Sequence, residues 1–280
     1  MSALGGKASG GEGINWQGVA VGIVIIIISL GITFALGANA LIIPLLGIII
    51  GGALIGFGVH FVPVGGAPAA MGQAPGIATG VAMLAAGAGL AGLFGGAWAY
   101  SATGGDFLIS VIGGAVGGGL MMAITCLMVN LTYVFAMGVP AASGKINKDP
   151  ITGYSFPEYK SQGTEGHGLP FISYVGGVVG GLIAGLGGTI IYIELLVVYV
   201  AHLPALLEAS TAAIAPLAVS LAGILAIGFF LINAVLSAYN ITGTIEGPHD
   251  PKFKRVPRAI IGCAVASAFC GLISILIIAL

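Results

Sequence analysis

Long apolar segments, separated by a few short polar stretches, most constrain what this chain can fold into. Of its 280 residues, 58% are hydrophobic and only 6% are charged, and the mean hydropathy is +1.14. Soluble domains carry about 25% charged residues, whereas a helix of roughly 20 apolar residues spans a bilayer core. The sequence therefore predicts an integral membrane protein. Its net charge of -1 gives no indication of a nucleic-acid partner.

Seven apolar segments are suited to cross a membrane as helices. They are Val19–Leu36, Leu41–Val59, Gly76–Trp98, Phe107–Met137, Phe171–Ala201, Ala212–Ser237 and Arg258–Leu280. We predict an all-α, glycine-rich polytopic transmembrane helix bundle with seven helices. Because the link near Asn39 is short, a single broken helix and six spans are the alternative. Residues 1–18 are predicted to form a cytoplasmic tail. Residues 19–280 are predicted to form one integral membrane domain, with cytoplasmic loops at about 138–170 and 238–257.

The positive charges indicate an orientation. With seven spans, the N-terminus and the loops 61–75, 138–170 and 238–257 lie on one side, and every lysine and arginine lies there, with Arg258 at its membrane edge. The opposite loops contain no lysine or arginine. Because basic loops remain in the cytoplasm, we predict that this side is cytoplasmic and that the C-terminus lies outside.

The 50 glycines predict close contact between helices. Many repeat at a spacing of four residues, namely Gly177, Gly181 and Gly185; Gly113 and Gly117; Gly114 and Gly118; and Gly92 and Gly96. Small residues at this spacing let helix backbones approach closely in lipid. We interpret these glycines as packing faces of a tight bundle that also packs against other chains.

Three histidines lie in similar turns, rich in Gly and Pro, on the predicted cytoplasmic side. They are His60, His167 and His249. The similarity favours three related helical hairpins. The same histidines are candidates for contact with partner proteins. They would serve as metal ligands or proton relays only if the three turns converge, and helix capping or solvation is the simpler interpretation.

Glu194 is the one acidic residue that lies well inside a predicted span. A charged side chain at this depth is costly unless it is paired, hydrated or bound to a cation. Glu194 is therefore a candidate for an ion pathway, with a protonated or outward-reaching side chain as the alternative. Further candidates are Asn130, Tyr133 and Asn233, and also Asp106 at the outer edge. The polar groups within the spans would equally well form hydrogen bonds between helices. Asp106 would equally well be an ordinary interfacial acid.

No residue is predicted to be catalytic, and the sequence leaves the presence of a metal open. The glycine pattern of residues 87–92 matches GxGxxG, but it lies inside an apolar helix with no preceding strand, so a dinucleotide site is excluded. The three cysteines, Cys126, Cys263 and Cys270, lie in apolar segments, where they are expected to pack as small hydrophobic residues. No polar segment is long enough to hold a cofactor, so none is expected to bind to this chain.

Four strings of the sequence resemble a known family. They are GVHFVPVGGAPAAM at 58–71, ATGVAMLAAGAGL at 78–90, GTEGHGLP at 163–170 and GTIEGPHDPKFKR at 243–255. These strings closely resemble the family of D subunits of archaeal tetrahydromethanopterin S-methyltransferase. The resemblance runs from about Leu41 to the C-terminus, and residues 1–40 look like an extension.

This resemblance implies a multisubunit complex of methanogens. Such a complex transfers a methyl group from methyl-tetrahydromethanopterin to coenzyme M and couples the transfer to sodium export. The resemblance also implies that a partner subunit carries a corrinoid, and that the related C and E membrane subunits lie beside this chain in the lipid. The chain would then be a non-catalytic subunit of the ion-translocating part.

Three other functions are weighed against this one. A proteolipid of a rotary ATPase would require an acid in every hairpin, and only the span of Glu194 has one. A stand-alone ion-coupled secondary transporter would favour broken helices around a midplane site. A purely structural bundle would only position its neighbours.

Overall fold

The computed structural model describes residues 16–62, 87, 89–131, 160–161, 164–165, 171–241 and 251–279. Seven α-helices lie in these residues: α1 (Trp16–Ala35), α2 (Ile42–Val59), α3 (89–102), α4 (Phe107–Leu131), α5 (Phe171–Leu206), α6 (Thr211–Ile241) and α7 (Val256–Ala279). All except α3 are long and apolar enough to cross a membrane. The predicted all-α membrane bundle is confirmed.

Shorter elements join these helices. The 3-10 helices Asn39–Leu41 and Pro251–Arg255 precede α2 and α7. The two-residue strands β1 (Lys160–Ser161) and β2 (Thr164–Glu165) pair antiparallel in the segment before α5, which sequence analysis did not predict. The predicted start of the third helix and the turns of His167 and His249 lie outside the described residues, so the hairpin repeat stays a prediction.

The fifth helix is longer than predicted. It continues past Ala201 to Leu206 and includes Pro204 in its last turn. The amide of Leu207 still donates to the Leu203 carbonyl at 3.0 Å, because proline removes only its own backbone donor. The helix ends just before Glu208, whose φ is 49°.

The first two apolar segments form two antiparallel helices. Gly22 of α1 faces Ile261 of α7, and Gly56 of α2 faces Cys263, two residues further along the same helix. Gly22 and Gly56 therefore lie at the same height along the bundle. The turn at Gly37, with φ at 74°, joins the opposite ends of α1 and α2, so the two helices run in opposite directions. The chain thus has two helices here, as the seven-helix prediction requires.

One end of the bundle, here called the His60 end, brings together four helix ends. The Nδ2 of Asn240, at the end of α6, lies 3.0 Å from His60 Nε2, just beyond α2, and 3.0 Å from the carbonyl of Arg255, just before α7. Gly176, near the start of α5, faces the Phe61 carbonyl. The connections that begin or end here therefore start on one side of the bundle, as predicted. That this side is cytoplasmic stays a prediction.

Helix α5 is the central helix because glycines let two neighbours contact it closely. Gly180 and Gly187 meet α2 at Gly58 and Gly51, and Gly181 and Gly185 meet α4 at Gly118 and Gly114. A Cβ atom added to Gly187 would lie 2.5 Å from the Gly51 carbonyl oxygen. The contacts of Gly181, Gly185, Gly114 and Gly118 confirm the packing role predicted from glycine spacing, since only a bare backbone permits them. Packing against other chains stays a prediction.

Alanine substitution should separate glycines in helix contacts from glycines that face open space. Gly187→Ala is expected to destabilise the protein, because overpacking typically costs about 1–3 kcal/mol. Gly223→Ala on α6 is the matched control, since nothing lies within 4 Å of an added Cβ atom there. Thermal unfolding in detergent measures both variants, and equal midpoints would contradict this account of the packing.

Candidate functional site: polar residues inside the helix bundle

Glu194 of α5 lies against the bare backbone of α2. A Cβ atom added to Gly47 would lie 2.6 Å from Glu194 Cγ and 2.7 Å from its Oε1, so the glycine makes room for the carboxyl group. The side chain is half-buried. Within the described part of the chain, no hydrogen bond or ion pair reaches this carboxyl group.

Asn233 of α6 is fully buried at the junction with α2 and α7. Its Nδ2 donates to the Phe229 carbonyl at 2.9 Å and to Ser267 Oγ at 3.0 Å. Because the carbonyl only accepts, these bonds assign the nitrogen and oxygen of the amide. The Oδ1 atom is buried and has no hydrogen-bond partner among the residues that the structure describes. Gly52 of α2 faces Ser267 and leaves space for this pair.

Polar contacts continue from Asn233 towards the His60 end. The Oγ of Ser237 lies 3.5 Å from the Gly56 carbonyl and 3.4 Å from Cys263 Sγ, which in turn lies 3.5 Å from the Asn233 carbonyl. Asn233, Ser237 and Asn240 share one face of α6, because a spacing of four and then three residues is helical. The sequence prediction included Asn233 and Ser237 among the polar groups of this span but not Asn240, although its spacing on an apolar helix was a visible signal.

His60 is fully buried and is bonded at both ring nitrogens. Nδ1 lies 2.7 Å from the Gly56 carbonyl, and Nε2 lies 3.0 Å from Asn240 Nδ2. The carbonyl must accept and the amide nitrogen must donate, so the ring is neutral and carries its hydrogen on Nδ1. The ring thus joins α2 to α6 within the chain. Contact between His60 and a partner stays a prediction, as it does for His167 and His249, which lie outside the described residues.

Asp106 caps the start of α4. Its Oδ1 accepts from the amide of Ile109 at 2.8 Å, and its carbonyl accepts from the hydroxyl of Ser110. An exposed carboxylate in this position satisfies free backbone donors of the first turn. Asn130 lies at the end of α4, and Tyr133 lies outside the described residues. Their proposed place on an ion pathway stays a prediction.

The two best-defined candidates, Glu194 and Asn233, face different sides of α2. Glu194 lies against Gly47, whereas Asn233 lies near Gly52. Gly47 and Gly52 are five residues apart, so on a helix with 3.6 residues per turn they point in directions that differ by about 140°. The structure therefore places one polar group between α2 and α5 and the other between α2, α6 and α7. No cluster of three His, Cys, Asp or Glu side chains suited to a metal occurs in the described ranges.

Together, the apolar helices and the polar groups buried between them define the chain as an all-α, multi-pass membrane protein. The profile of the MtrD family, the D subunit of tetrahydromethanopterin S-methyltransferase, matches residues 40–267. The chain belongs to this family and is a subunit of the methyltransferase complex. The resemblance predicted from the four strings is confirmed, and α1 precedes the matched residues.

Individual relatives agree with the profile, and each is named as the D subunit of tetrahydromethanopterin S-methyltransferase. The protein of Methanothermobacter marburgensis is 51% identical over 81% of this chain and 93% of its own length. That of Methanosarcina mazei is 48% identical over 83% and 92%. That of Methanocaldococcus jannaschii is 45% identical over 85% and 97%. This membership leaves the rotary-ATPase and stand-alone transporter alternatives without support.

Removing the hydroxyl of Ser267 should destabilise the bundle. Ser267→Ala leaves one buried amide hydrogen of Asn233 without an acceptor, and such a loss costs about 1–3 kcal/mol. Ser274→Ala is the control, because that hydroxyl donates only to the Cys270 carbonyl of its own helix. Thermal unfolding of the two variants in one detergent compares them. Equal stability would contradict the role assigned to the Asn233 and Ser267 pair.

Proposed function

We propose that this chain is a non-catalytic subunit through which sodium ions cross the membrane while the complex transfers a methyl group to coenzyme M. The relatives are named as subunits of tetrahydromethanopterin S-methyltransferase, so the chain is expected to act with other subunits. We expect these to include the related C and E subunits and a subunit that carries a corrinoid. The polar groups of the bundle lie between closely packed helices, which suits an ion better than a bulky methyl-carrying cofactor.

The main support for this proposal is the position of Glu194. Its carboxyl group lies within a span, on the central helix α5, and no partner in the described residues neutralises it. An ionised carboxylate in this environment is stabilised when a cation binds to it. Carboxylate oxygens are the ligands that hard cations prefer, and the bare backbone at Gly47 gives this carboxyl group room between α2 and α5.

Asn233 gives independent support on the other side of α2. An unpaired buried carbonyl oxygen is costly in a bilayer, where no bulk water is available. An ion or an ordered water that reaches Oδ1 would remove this cost. Asn233 is therefore a second candidate for a position on the route, separate from Glu194.

Neutralising Glu194 should uncouple sodium movement from methyl transfer. Glu194→Gln keeps the size of the side chain but removes its charge. We expect sodium uptake per methyl group to fall by roughly tenfold or more. A tenfold loss of ion binding corresponds to about 1.4 kcal/mol of binding free energy. The measurement is sodium uptake and methyl-coenzyme M formation by the whole complex in lipid vesicles.

Two matched variants sharpen this test. Gly47→Ala keeps the charge of Glu194 but pushes its carboxyl group away from α2, and an intermediate loss of sodium uptake is expected. Glu208→Gln makes the same chemical change at the exposed turn after α5, and it should leave coupling unchanged. If Glu194→Gln couples as well as Glu208→Gln, Glu194 has a structural role only.

The orientation of the bundle is open to direct labelling. We expect the His60 end to face the cytoplasm, because it carries Lys254, Arg255 and Arg258. In right-side-out vesicles, a membrane-impermeant maleimide should label Leu207→Cys at the opposite end, where this side chain is 48% exposed. It should label Lys254→Cys only after permeabilisation, and the parent protein provides the background from the native cysteines. The reverse pattern would overturn the predicted orientation.

A further inference from the structure

Asn240, at the end of α6, uses all of its side-chain hydrogen-bonding groups at the His60 end. Its Nδ2 donates to His60 Nε2 and to the Arg255 carbonyl, both at 3.0 Å. Its Oδ1 accepts from Arg258 Nε at 2.8 Å, and its backbone carbonyl accepts from Arg255 Nη1 at 3.0 Å. One residue therefore connects α2, α6, the 3-10 turn and α7.

An aromatic contact joins the same elements beside these hydrogen bonds. The ring of Phe61 packs edge-on against Phe57 of α2, with centroids 5.1 Å apart, and against Phe253 of the 3-10 turn, at 5.5 Å. Such aromatic pairs contribute roughly 0.5–1.5 kcal/mol to stability beyond the contribution of their buried apolar area. They do not depend on any charge. The hydrogen bonds of Asn240 are thus the part of this junction that responds to protonation.

We propose that Asn240 is a positioning residue at the centre of a clasp, formed with His60, Arg255 and Arg258, that stays closed only while His60 is neutral. In the closed clasp, the lone pair of His60 Nε2 accepts the amide hydrogen of Asn240. A protonated ring carries a hydrogen on Nε2, which would point at the amide donor. Protonation therefore breaks this bond and frees the end of α2 from α6.

Among the residues that the structure describes, the charged groups near His60 are positive. Arg255 in the 3-10 turn and Arg258 on α7 both bind Asn240, so a protonated ring would be a third positive charge at one junction. Lys254 in the same turn is exposed. Cys263 of α7 lies deeper, beside Gly56 and Ser237, and it offers no negative charge while it is a thiol.

The clasp lies where the chain leaves α2 and α6 for two of the predicted cytoplasmic connections. A movement of those connections would reach the spans through it. Its part in ion coupling rests on the proposed function, but the closed clasp itself rests only on the contacts of Asn240. The test therefore measures stability and does not use sodium transport.

Asn240→Asp should reverse the dependence of stability on pH. The aspartate still accepts from Arg258, but it cannot donate to neutral His60, so the clasp is weakened at high pH. When His60 is protonated, its Nε2 hydrogen can donate to the carboxylate in a charge-assisted bond. Thermal unfolding of the whole purified complex is measured from about pH 8 to about pH 5.5, the range in which histidine takes up a proton. We expect the midpoint of the wild type to fall by about 3 °C or more, whereas that of Asn240→Asp rises or stays level.

Two further variants keep the outcome decisive. Asn39→Asp makes the same change at an exposed position before α2, and its pH profile should parallel that of the wild type. His60→Gln retains one donor and one acceptor but cannot be protonated, so it should lose the acid-induced fall even if Asn240→Asp does not fold. Parallel pH profiles for all variants would overturn the clasp. If the pH profiles are as expected but sodium coupling in these variants stays at the wild-type level, the clasp stands and only its link to the proposed function is contradicted.

Discussion

Direct contact between helix backbones at glycine is the interaction on which the rest of this bundle depends. Lipid provides no hydrophobic force between helices, so close packing supplies much of the attraction. Helix α5 meets α2 and α4 through glycines on two adjacent faces. Because glycine has no side chain, the same positions leave room for polar groups. Gly47 accommodates Glu194, and Gly52 accommodates Ser267. Stability and polar chemistry therefore have one structural origin.

The buried polar groups fall into two classes with opposite properties. Glu194 and the Oδ1 of Asn233 have no partner in the described residues, so each has capacity to bind an ion or water. Asn240 is saturated, with every side-chain donor and acceptor in use. Open groups suit transient binding, whereas a saturated group fixes geometry. The first class thus fits a route through the membrane, and the second fits a joint between helices.

Sequence analysis predicted the helices well because each span is a local property of apolar length. It also identified the packing glycines, Glu194 as an acid within a span, and the family. It did not identify the central role of Asn240, since its partner His60 lies 180 residues away along the chain. The end of α5 was placed too early, because a proline in the last turn of a helix costs only one backbone bond.

The sequence by itself determined that this chain enters a membrane as several helices, since apolar length and scarce charge have no other stable outcome in water or lipid. It also determined which helix carries the acid. Only the tertiary structure decided that Glu194 lies against a glycine, that Asn233 keeps an unpaired oxygen, and that His60 is neutral and bonded to Asn240. These properties depend on which helices meet and at what level, and local sequence patterns do not specify such contacts.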